Sequence, residues 1–308
     1  MRVVFLGTPN FGVPALEKIM QFHDVVGCVC QPDKVGARGK VEFSPVKKFA
    51  LAHCLPLFQF EKISRDGVET LKNLAPDIMV TAAYGQILSQ EVIDIAKHGI
   101  INIHGSLLPK LRGAAPIQYA VLMGLAQTGI TILNTVRKVD AGEIILQKAL
   151  DILPYETNGE LFERMSLLGA DAIVEALNLI EQGKATYTPQ VEEDATFCSK
   201  ITAEQECIDW KGSSYELINL VRALNPSPAA WTTVLGKRLK VYALRPCDNQ
   251  YTGVAGEVVE CGKKTLAVMC GDGKAVYITE LQAENAKRMD IVSFLNGRKV
   301  PVGTVLGE

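Results

Sequence analysis

The first 184 residues alternate between short apolar runs and stretches in which apolar residues recur with helical spacing. Apolar runs predict strands, and a recurrence every three to four residues predicts amphipathic helices. The predicted strands span residues 2–6, 25–30, 55–60, 77–83, 129–136 and 143–150. The predicted helices span residues 13–20, 66–74, 92–96, 117–123 and 159–182. This order predicts an α/β domain with a doubly wound, mostly parallel, Rossmann-like sheet.

The remaining residues show a different pattern. Residues 185–207 have little periodicity, and we interpret them as a linker. A helix is predicted over 213–224, capped by Ser213 or Ser214, and a last helix over 286–295. Short strands are predicted at 231–235, 239–244, 256–259, 265–270 and 275–281. Such strands favour a small β-barrel, of the oligonucleotide-binding type, as a C-terminal domain over 208–308.

Charge distinguishes the two parts of the chain. The 308 residues carry a net charge of −2, and 48% of them are hydrophobic, which suffices for two cores. Residues 209–308 contain 13 basic and 10 acidic residues, whereas residues 1–208 contain 19 basic and 24 acidic ones. The basic excess of the C-terminal part fits a polyanionic partner, and it fits ordinary scatter of surface charge equally well.

The cysteines and the hydrophobic pattern indicate the compartment. None of the eight cysteines forms a Cys-x-x-Cys pair or has a histidine at zinc spacing. We therefore expect free thiols in a reducing compartment, and no metal. The chain passes from Met-Arg directly into a predicted strand, and it contains no apolar stretch of membrane-spanning length. These features predict a cytoplasmic protein without a signal peptide.

Candidate chemistry lies in residues 99–109, an apolar run that ends in a Gly, Ser and Pro segment. Side chains alternate along a strand, so Asn102 and His104 project from the same face. Asp140 is predicted in a turn before a later strand. Each residue alone is more often structural, but polar groups on one face of a buried strand need partners. Together they supply an amide donor for an oxyanion, a proton carrier and a carboxylate that orients it.

Two glycine-containing loops are candidates for binding phosphate groups. The spacing of Gly7 and Gly12 departs from Gly-x-Gly-x-x-Gly, so a wall around a ligand is favoured over a dinucleotide site. Residues 32–48 contain five basic residues against Asp33 and Glu42. This loop is either a solvated surface loop or a basic arm that contacts phosphates.

Three segments resemble a known family. Residues 102–109 (Asn-Ile-His-Gly-Ser-Leu-Leu-Pro), residues 112–118 (Arg-Gly-Ala-Ala-Pro-Ile-Gln) and Asp140 resemble the formyltransferases that use 10-formyltetrahydrofolate. Residues 5–11 and 31–34 are similar to those members that act on methionyl-tRNA. The resemblance extends from the N-terminus to the C-terminal segment, and it implies that residues 1–184 form the catalytic domain and that the C-terminal barrel binds tRNA.

The resemblance also implies roles for individual residues. It implies catalytic roles for Asn102, His104 and Asp140. It implies folate contacts for Tyr84, Gly85, Ile87, Ser106, Leu107, Leu108 and Pro109. It implies tRNA contacts for Lys34, Arg38, Lys40 and Lys47.

The implied reaction transfers a formyl group from 10-formyltetrahydrofolate to the α-amino group of initiator methionyl-tRNA, a step of translation initiation. The neutral amine attacks, Asn102 and His104 stabilise the oxyanion, and Asp140 assists proton transfer. We expect the chain to work as a monomer. One alternative is a formyltransferase acting on a small amine, such as a glycinamide ribonucleotide or an amino sugar. Another is an RNA-binding module with an inactive α/β domain, and a dehydrogenase is disfavoured by the glycine spacing.

Overall fold

The computed structural model describes residues 1–36, 39 and 41–307, and it divides into two compact units. The first unit contains Met1–Pro116, Gln127–Asp151 and Phe162–Cys198. The second unit contains Ile117–Ala126, Ile152–Leu161 and Ser199–Glu308.

The strands and helices are numbered in chain order. The strands are β1 (Arg2–Gly7), β2 (Asp24–Cys30), β3 (Lys34–Val35), β4 (Val41–Glu42), β5 (Leu57–Gln59), β6 (Ile78–Ala82), β7 (Ile100–His104), β8 (Arg112–Gly113), β9 (Gln127–Asn134), β10 (Ile144–Asp151), β11 (Phe197–Cys198), β12 (Ala230–Val234), β13 (Lys237–Pro246), β14 (Val258–Cys261), β15 (Leu266–Met269), β16 (Ala275–Ala283) and β17 (Met289–Asp290). The helices are α1 (Val13–Phe22), α2 (Pro45–Ala52), α3 (Val68–Leu74), α4 (Gln90–Ile93), α5 (Pro116–Leu122), α6 (Asn158–Glu181), α7 (Ser214–Ala223) and α8 (Ile291–Gly297).

A seven-stranded sheet forms the centre of the first unit, in the order β10-β9-β7-β6-β1-β2-β5. The strands from β7 to β5 run parallel, whereas β9 and β10 are antiparallel. Val3, Val4 and Phe5 of β1 are fully buried, because the central strands of a parallel sheet are covered on both faces. The predicted doubly wound, mostly parallel sheet is confirmed.

The predicted element boundaries differ from the observed ones at several places. The predicted loop over 32–45 contains a short antiparallel hairpin, β3–β4. The helix predicted at 92–96 instead spans Gln90–Ile93, because the Ser89 hydroxyl accepts a hydrogen bond from the Val92 amide and thereby caps an earlier start. Helix α3 begins only at Val68, after a wider helical turn over Ile63–Gly67.

The second unit is built on a six-stranded antiparallel sheet, in the order β12-β13-β16-β15-β14, with β17 paired to β16. Its core includes Trp210, Leu239, Val241 and Ile278. The predicted C-terminal domain of short strands is confirmed, and its strands form an antiparallel sheet. Ser213 caps α7 and exchanges hydrogen bonds with Glu216 in a capping box, so the first of the two predicted caps is the one used.

The C-terminal residues connect the two edges of this sheet. The Gly303 amide donates to the Val258 carbonyl at 2.9 Å, on the β14 side. The Gly307 amide donates to the Thr233 carbonyl of β12 at 3.0 Å. These bonds link β14 to β12 through residues 303–307, as closure of a small barrel requires.

The predicted linker and the predicted domain limits differ from the units of the structure. Residues 185–198 of the predicted linker belong to the first unit, where β11 pairs with β8. Two excursions from the first 184 residues, Ile117–Ala126 and Ile152–Leu161, belong to the second unit. There the Tyr215 hydroxyl donates to the Gly124 carbonyl at 3.1 Å. These contacts join residues far apart in sequence, so no local pattern reveals them.

A helix that crosses a bilayer must be both long and apolar, and the helices of the described residues lack this combination.

Candidate active site

Strand β7 places two predicted catalytic residues between neighbours on both sides. Asn102 lies in register with Thr81 of parallel β6, and His104 with Thr131 of antiparallel β9. Asn102 is half-buried, and the His104 side chain is 5% exposed. The strand ends at His104, where residues 105–111 form a loop. Both residues thus lie on a buried strand, of which His104 is the last residue.

Thr81 determines how the Asn102 amide is oriented. The Thr81 hydroxyl donates to Asn102 Oδ1 at 2.8 Å. Because the amide oxygen is engaged as an acceptor, the amide nitrogen is the group with which Asn102 can donate to a ligand. Asn102 therefore has the donor that an oxyanion needs.

His104 is held by a backbone carbonyl on one side and faces a carboxylate on the other. Its Nε2 lies 2.9 Å from the Leu111 carbonyl oxygen, which can only accept, so Nε2 carries a hydrogen. Its Nδ1 lies 3.6 Å from Asp140 Oδ2. The second ring nitrogen, Nδ1, is thus the one that faces the Asp140 carboxylate.

Asp140 reaches this position through a tight turn between β9 and β10. Its φ of 51° lies in the left-handed region, which aspartate tolerates better than most residues. Its Oδ2 accepts from the Gly113 amide at 2.9 Å. Two residues later, a Cβ atom on Gly142 would lie 1.8 Å from the Asn134 carbonyl oxygen, so only glycine fits there. The structure thus brings the three predicted catalytic residues together.

A buried arginine lies next to this turn. The Arg112 side chain is 1% exposed. Its Nε donates to Gln190 Oε1 at 3.0 Å, and its Nη1 donates to Glu192 Oε2 at 2.9 Å. Hydrogen bonds from Lys138, and then from Arg112, hold the pKa of the Glu192 carboxyl below its usual value. The sequence analysis did not single out Gln190 or Glu192, since neither belongs to a recognisable motif.

Two residues on the antiparallel strands hold the loop after His104. The Thr131 hydroxyl donates to the Ser106 carbonyl at 2.7 Å and accepts from the Leu108 amide at 3.1 Å. Gln147 Nε2 donates to the Leu108 carbonyl at 2.8 Å. Both residues were missed by the sequence analysis. Both are polar side chains on strands that face a loop. They can be recognised as loop contacts only once the strand order is known.

The residues predicted to contact folate fall into two loops, one after β6 and one after β7. Because these strands are adjacent and parallel, both loops begin at the same edge of the sheet. In the loop after β7, Ser106 and Leu108 are buried, whereas Leu107 and Pro109 are half-buried.

The loop after β6 presents one large apolar side chain to solvent. Ile87 is 83% exposed and Gly85 is also exposed, whereas Tyr84 is 4% exposed and packs in the hydrophobic core. Burial raises the pKa of the Tyr84 hydroxyl far above its usual value. The carbonyl of Tyr84 accepts from Gln31 Nε2 at 3.1 Å. The side chain of Tyr84 is therefore structural, and only its backbone belongs to the loop surface.

The four predicted tRNA contacts differ in their placement. Lys34 is exposed on β3, and Arg38 and Lys40 lie outside the described residues. The Lys47 side chain is 11% exposed, and its ammonium donates to Asp33 at 2.5 Å and to Gln59 at 2.9 Å. Internal partners thus occupy the Lys47 ammonium in the structure, and the RNA contact of Lys47 stays a prediction.

Comparison with known proteins identifies the protein family to which this chain belongs. Residues 1–177 match the family described as formyl transferase, and residues 200–299 match the family described as formyl transferase, C-terminal domain. The chain belongs to the formyl transferase family. The predicted family is thereby confirmed.

The most informative relatives are curated bacterial enzymes similar over their whole length. Methionyl-tRNA formyltransferase of Enterococcus faecalis is 42% identical over 299 residues, which cover 96% of this chain and 96% of the relative. Methionyl-tRNA formyltransferase of Bacillus thuringiensis is 42% identical over 311 residues, which cover 100% of this chain and 99% of the relative.

Solved structures with lower identity share the fold. The N-formyltransferase of Helicobacter canadensis, solved with folinic acid and dTDP-3-aminofucose, has a TM-score of 0.71 at 18% identity, over 92% of this chain and 100% of that one. HypX of Aquifex aeolicus, solved with tetrahydrofolic acid, has a TM-score of 0.65 at 19% identity, over 96% of this chain and 47% of that one.

Proposed function

We propose that this chain transfers a formyl group from 10-formyltetrahydrofolate to the α-amino group of initiator methionyl-tRNA, in the cytoplasm. One observation supports the chemistry: Asn102 and His104 lie two residues apart on β7, with Nδ1 of His104 3.6 Å from the Asp140 carboxylate. The acceptor is inferred from the relatives that are 42% identical over almost the whole chain and are named methionyl-tRNA formyltransferase.

The residues present fit a folate. Residues 106–109 and 84–87 would hold it, since both loops begin at the edge of the sheet where β7 ends. The side chain of Ile87, which is 83% exposed, offers the apolar surface that a flat ring would cover. Tyr84 and Gly85 would contribute backbone. The bound folate supplies an activated formyl group, and every other part of the chemistry is left to the chain.

Asn102 and His104 would meet the charge that forms during the attack. The neutral amine adds to the formyl carbon and produces a tetrahedral oxyanion. Asn102 donates to this oxygen from its amide nitrogen, because Thr81 occupies the amide oxygen. His104 would stabilise the same charge from Nδ1 when this nitrogen carries a hydrogen, while the Leu111 carbonyl keeps Nε2 as a fixed donor.

Asp140 would remove the excess proton. The amine carries a positive charge after it attacks. The reaction is complete only when this proton has left the amine and the bond between the formyl carbon and the folate nitrogen has broken, with a proton passing to that nitrogen. The Asp140 carboxylate is 13% exposed, and the bond from the Gly113 amide uses only part of its capacity to accept hydrogen bonds. It can therefore accept the proton, or orient a water that does, while it also holds the His104 ring.

The tRNA would contact both units. Lys34 is exposed on β3, and Arg38 and Lys40 lie between β3 and β4 in the sequence. Basic side chains of the second unit would also contact the phosphate backbone. Lys47 is left out of this proposal because Asp33 and Gln59 occupy its ammonium.

The proposal is tested with purified protein, formyl-labelled 10-formyltetrahydrofolate and charged initiator tRNA. We expect label on the methionyl amine, and none on the same tRNA whose amine has been acetylated beforehand. Parallel reactions offer a glycinamide ribonucleotide and a nucleotide-linked amino sugar. Preferred transfer to either small amine would contradict the acceptor, and binding of tRNA without any transfer would leave an RNA-binding module.

A further inference from the structure

One segment of the first unit lies between the two matched family regions. The formyl transferase match ends at residue 177, and the C-terminal domain match begins at residue 200. Residues 190–198, which lie between them, nevertheless touch the loop and the turn that position His104 and Asp140. The contacts of this segment, rather than its sequence, indicate what it does.

Gln190 makes three side-chain hydrogen bonds at the turn that carries Asp140. Its Nε2 donates to the Asp140 carbonyl at 2.8 Å and to the Gly142 carbonyl at 2.7 Å. Its Oε1 accepts from Arg112 Nε at 3.0 Å. The Gln190 side chain therefore spans the turn from one end to the other and is itself held by a buried guanidinium.

The chemistry of these partners requires an amide. Carbonyl oxygens only accept, and the Arg112 guanidinium only donates, so the group between them must do both. A carboxylate of the same shape would keep the bond from Arg112 and place an oxygen against the carbonyls of Asp140 and Gly142. An apolar side chain would lose all three bonds.

Asp140 needs such support because of its backbone. Its φ of 51° lies in the left-handed region, which is unfavourable for a residue with a side chain, although less so for aspartate. A conformation of this kind persists when the surroundings determine it. The two bonds from Gln190 are made to the backbone of the turn itself, which they hold in the shape that points the carboxylate towards His104.

The rest of the segment holds the strand opposite Asp140. The Thr196 carbonyl accepts from the Arg112 amide at 2.9 Å, and the Thr196 hydroxyl accepts from the Leu111 amide at 2.9 Å. Gly113 has a φ of 121°, and a Cβ atom there would lie 2.2 Å from the Cys198 carbonyl oxygen. Leu111 and Gly113 are the residues whose backbone groups bond His104 and Asp140.

We propose that Gln190 is a positioning residue, which fixes the Asp140 turn and thereby sets the approach of the Asp140 carboxylate to His104. The inference rests on the proposed function for its kinetic readout. Residues 190–198 are on this view part of the catalytic machinery, although they precede the second unit directly.

The test replaces Gln190 by glutamate, with Gln182→Glu as a matched control. Gln182 is exposed and its Oε1 accepts from Lys184, so the same chemical change should leave kinetics unaltered there. For Gln190→Glu we expect kcat to fall about 10- to 100-fold, since small misplacement of a catalytic group has effects of this size. The KM values for folate and tRNA should stay within about two-fold, because neither ligand is bound by Gln190.

A double substitution separates positioning from a general structural role. In an Asp140→Asn background, adding Gln190→Glu should lower kcat by less than about two-fold, since Gln190 acts through Asp140. Equal losses in both backgrounds would overturn the proposal. If Gln190→Glu does not fold, Gln190→Met, which introduces no charge, carries the same expectations.

A spectroscopic readout keeps this inference separate from the proposed function. The ¹⁵N signal of His104 Nδ1 reports on the carboxylate beside it, with or without substrates. We expect Gln190→Glu to move this signal in the same direction as Asp140→Asn. An unchanged signal overturns the inference, whereas a wild-type chain that transfers no formyl group overturns only the proposed function.

Discussion

Nδ1 of His104 lies 3.6 Å from Oδ2 of Asp140, while Nε2 of the same ring is held by the Leu111 carbonyl at 2.9 Å. One ring nitrogen is thus fixed as a donor, and the other is left to exchange its proton beside a carboxylate. Proton transfer by His104 is therefore confined to the side of the ring that faces Asp140. The predictions below follow from this arrangement and from the contacts around it.

Asn102→Ala should lower kcat by about 100- to 1000-fold, the usual effect of losing one oxyanion donor. Stability should change little, because Asn102 is half-buried and its oxygen accepts one bond from Thr81. Steady-state kinetics and thermal melts of the same preparations check this. Thr81→Val keeps the Asn102 amide but removes the hydrogen bond to its oxygen, so it should lower kcat less than Asn102→Ala does. An equal loss of kcat would mean that Asn102 contributes to catalysis only when Thr81 orients its amide.

Asp140→Asn should lower kcat by about 100- to 10,000-fold, since it keeps the shape of the side chain but removes the proton acceptor. The bond from the Gly113 amide survives because the amide oxygen can still accept it. Single-turnover rates measured with saturating tRNA isolate the chemical step. A variant with near-normal turnover would refute the proton-handling role of Asp140.

Lys34→Ala and Lys47→Ala should separate RNA binding from stability. Lys34 is exposed, so its loss should raise KM for tRNA and reduce the slope of log affinity against log salt by about 1. Lys47 lies buried between Asp33 and Gln59, so its loss should instead lower the melting temperature and leave that slope unchanged. Replacing Arg38 and Lys40 together should act as Lys34→Ala does, and unchanged tRNA kinetics would dismiss the basic arm.

Asp33 gives the first unit an acid limit. Hydrogen bonds from Lys47, and then from Gln59, hold the pKa of Asp33 below its ordinary value of 3.8. A pKa that is lower in the folded state stabilises the fold fully above the unfolded value, and this stabilisation is lost as pH falls through the folded value. The melting temperature of Asp33→Asn should therefore lie below that of the wild type at pH 6, and the difference should shrink below about pH 4. A constant difference down to pH 2 would contradict the assignment.

Much of the fold could be predicted because it depends on local patterns. Buried strands such as β1 are apolar on both faces, and alternation along β7 was enough to place Asn102 and His104 on one side. The family of the chain followed from contiguous motifs. Spacing alone also located Asp140 in a turn, although it could not indicate that the turn needs a left-handed residue.

Other features could not be predicted, because they arise from contacts across the sequence. Arg112 meets Gln190 over a separation of 78 residues, and no periodicity marks either residue. Tyr84 lies in a loop with functional surface, yet its ring is buried, because an aromatic side chain serves a core as well as it serves a ligand. Lys47 occurs within a basic stretch, but Asp33 neutralises it inside the fold. The domain limits and the monomeric state stay predictions.

The glycine at position 142 has a consequence for how this protein can vary. A single methyl group there would meet the Asn134 oxygen at 1.8 Å, so even alanine must force the end of β9 away from the turn that presents Asp140. A saturation mutagenesis library should consequently be strongly depleted at this residue, although it has no functional group at all. Variants of this fold that use a different acceptor should therefore keep the glycine and change other residues.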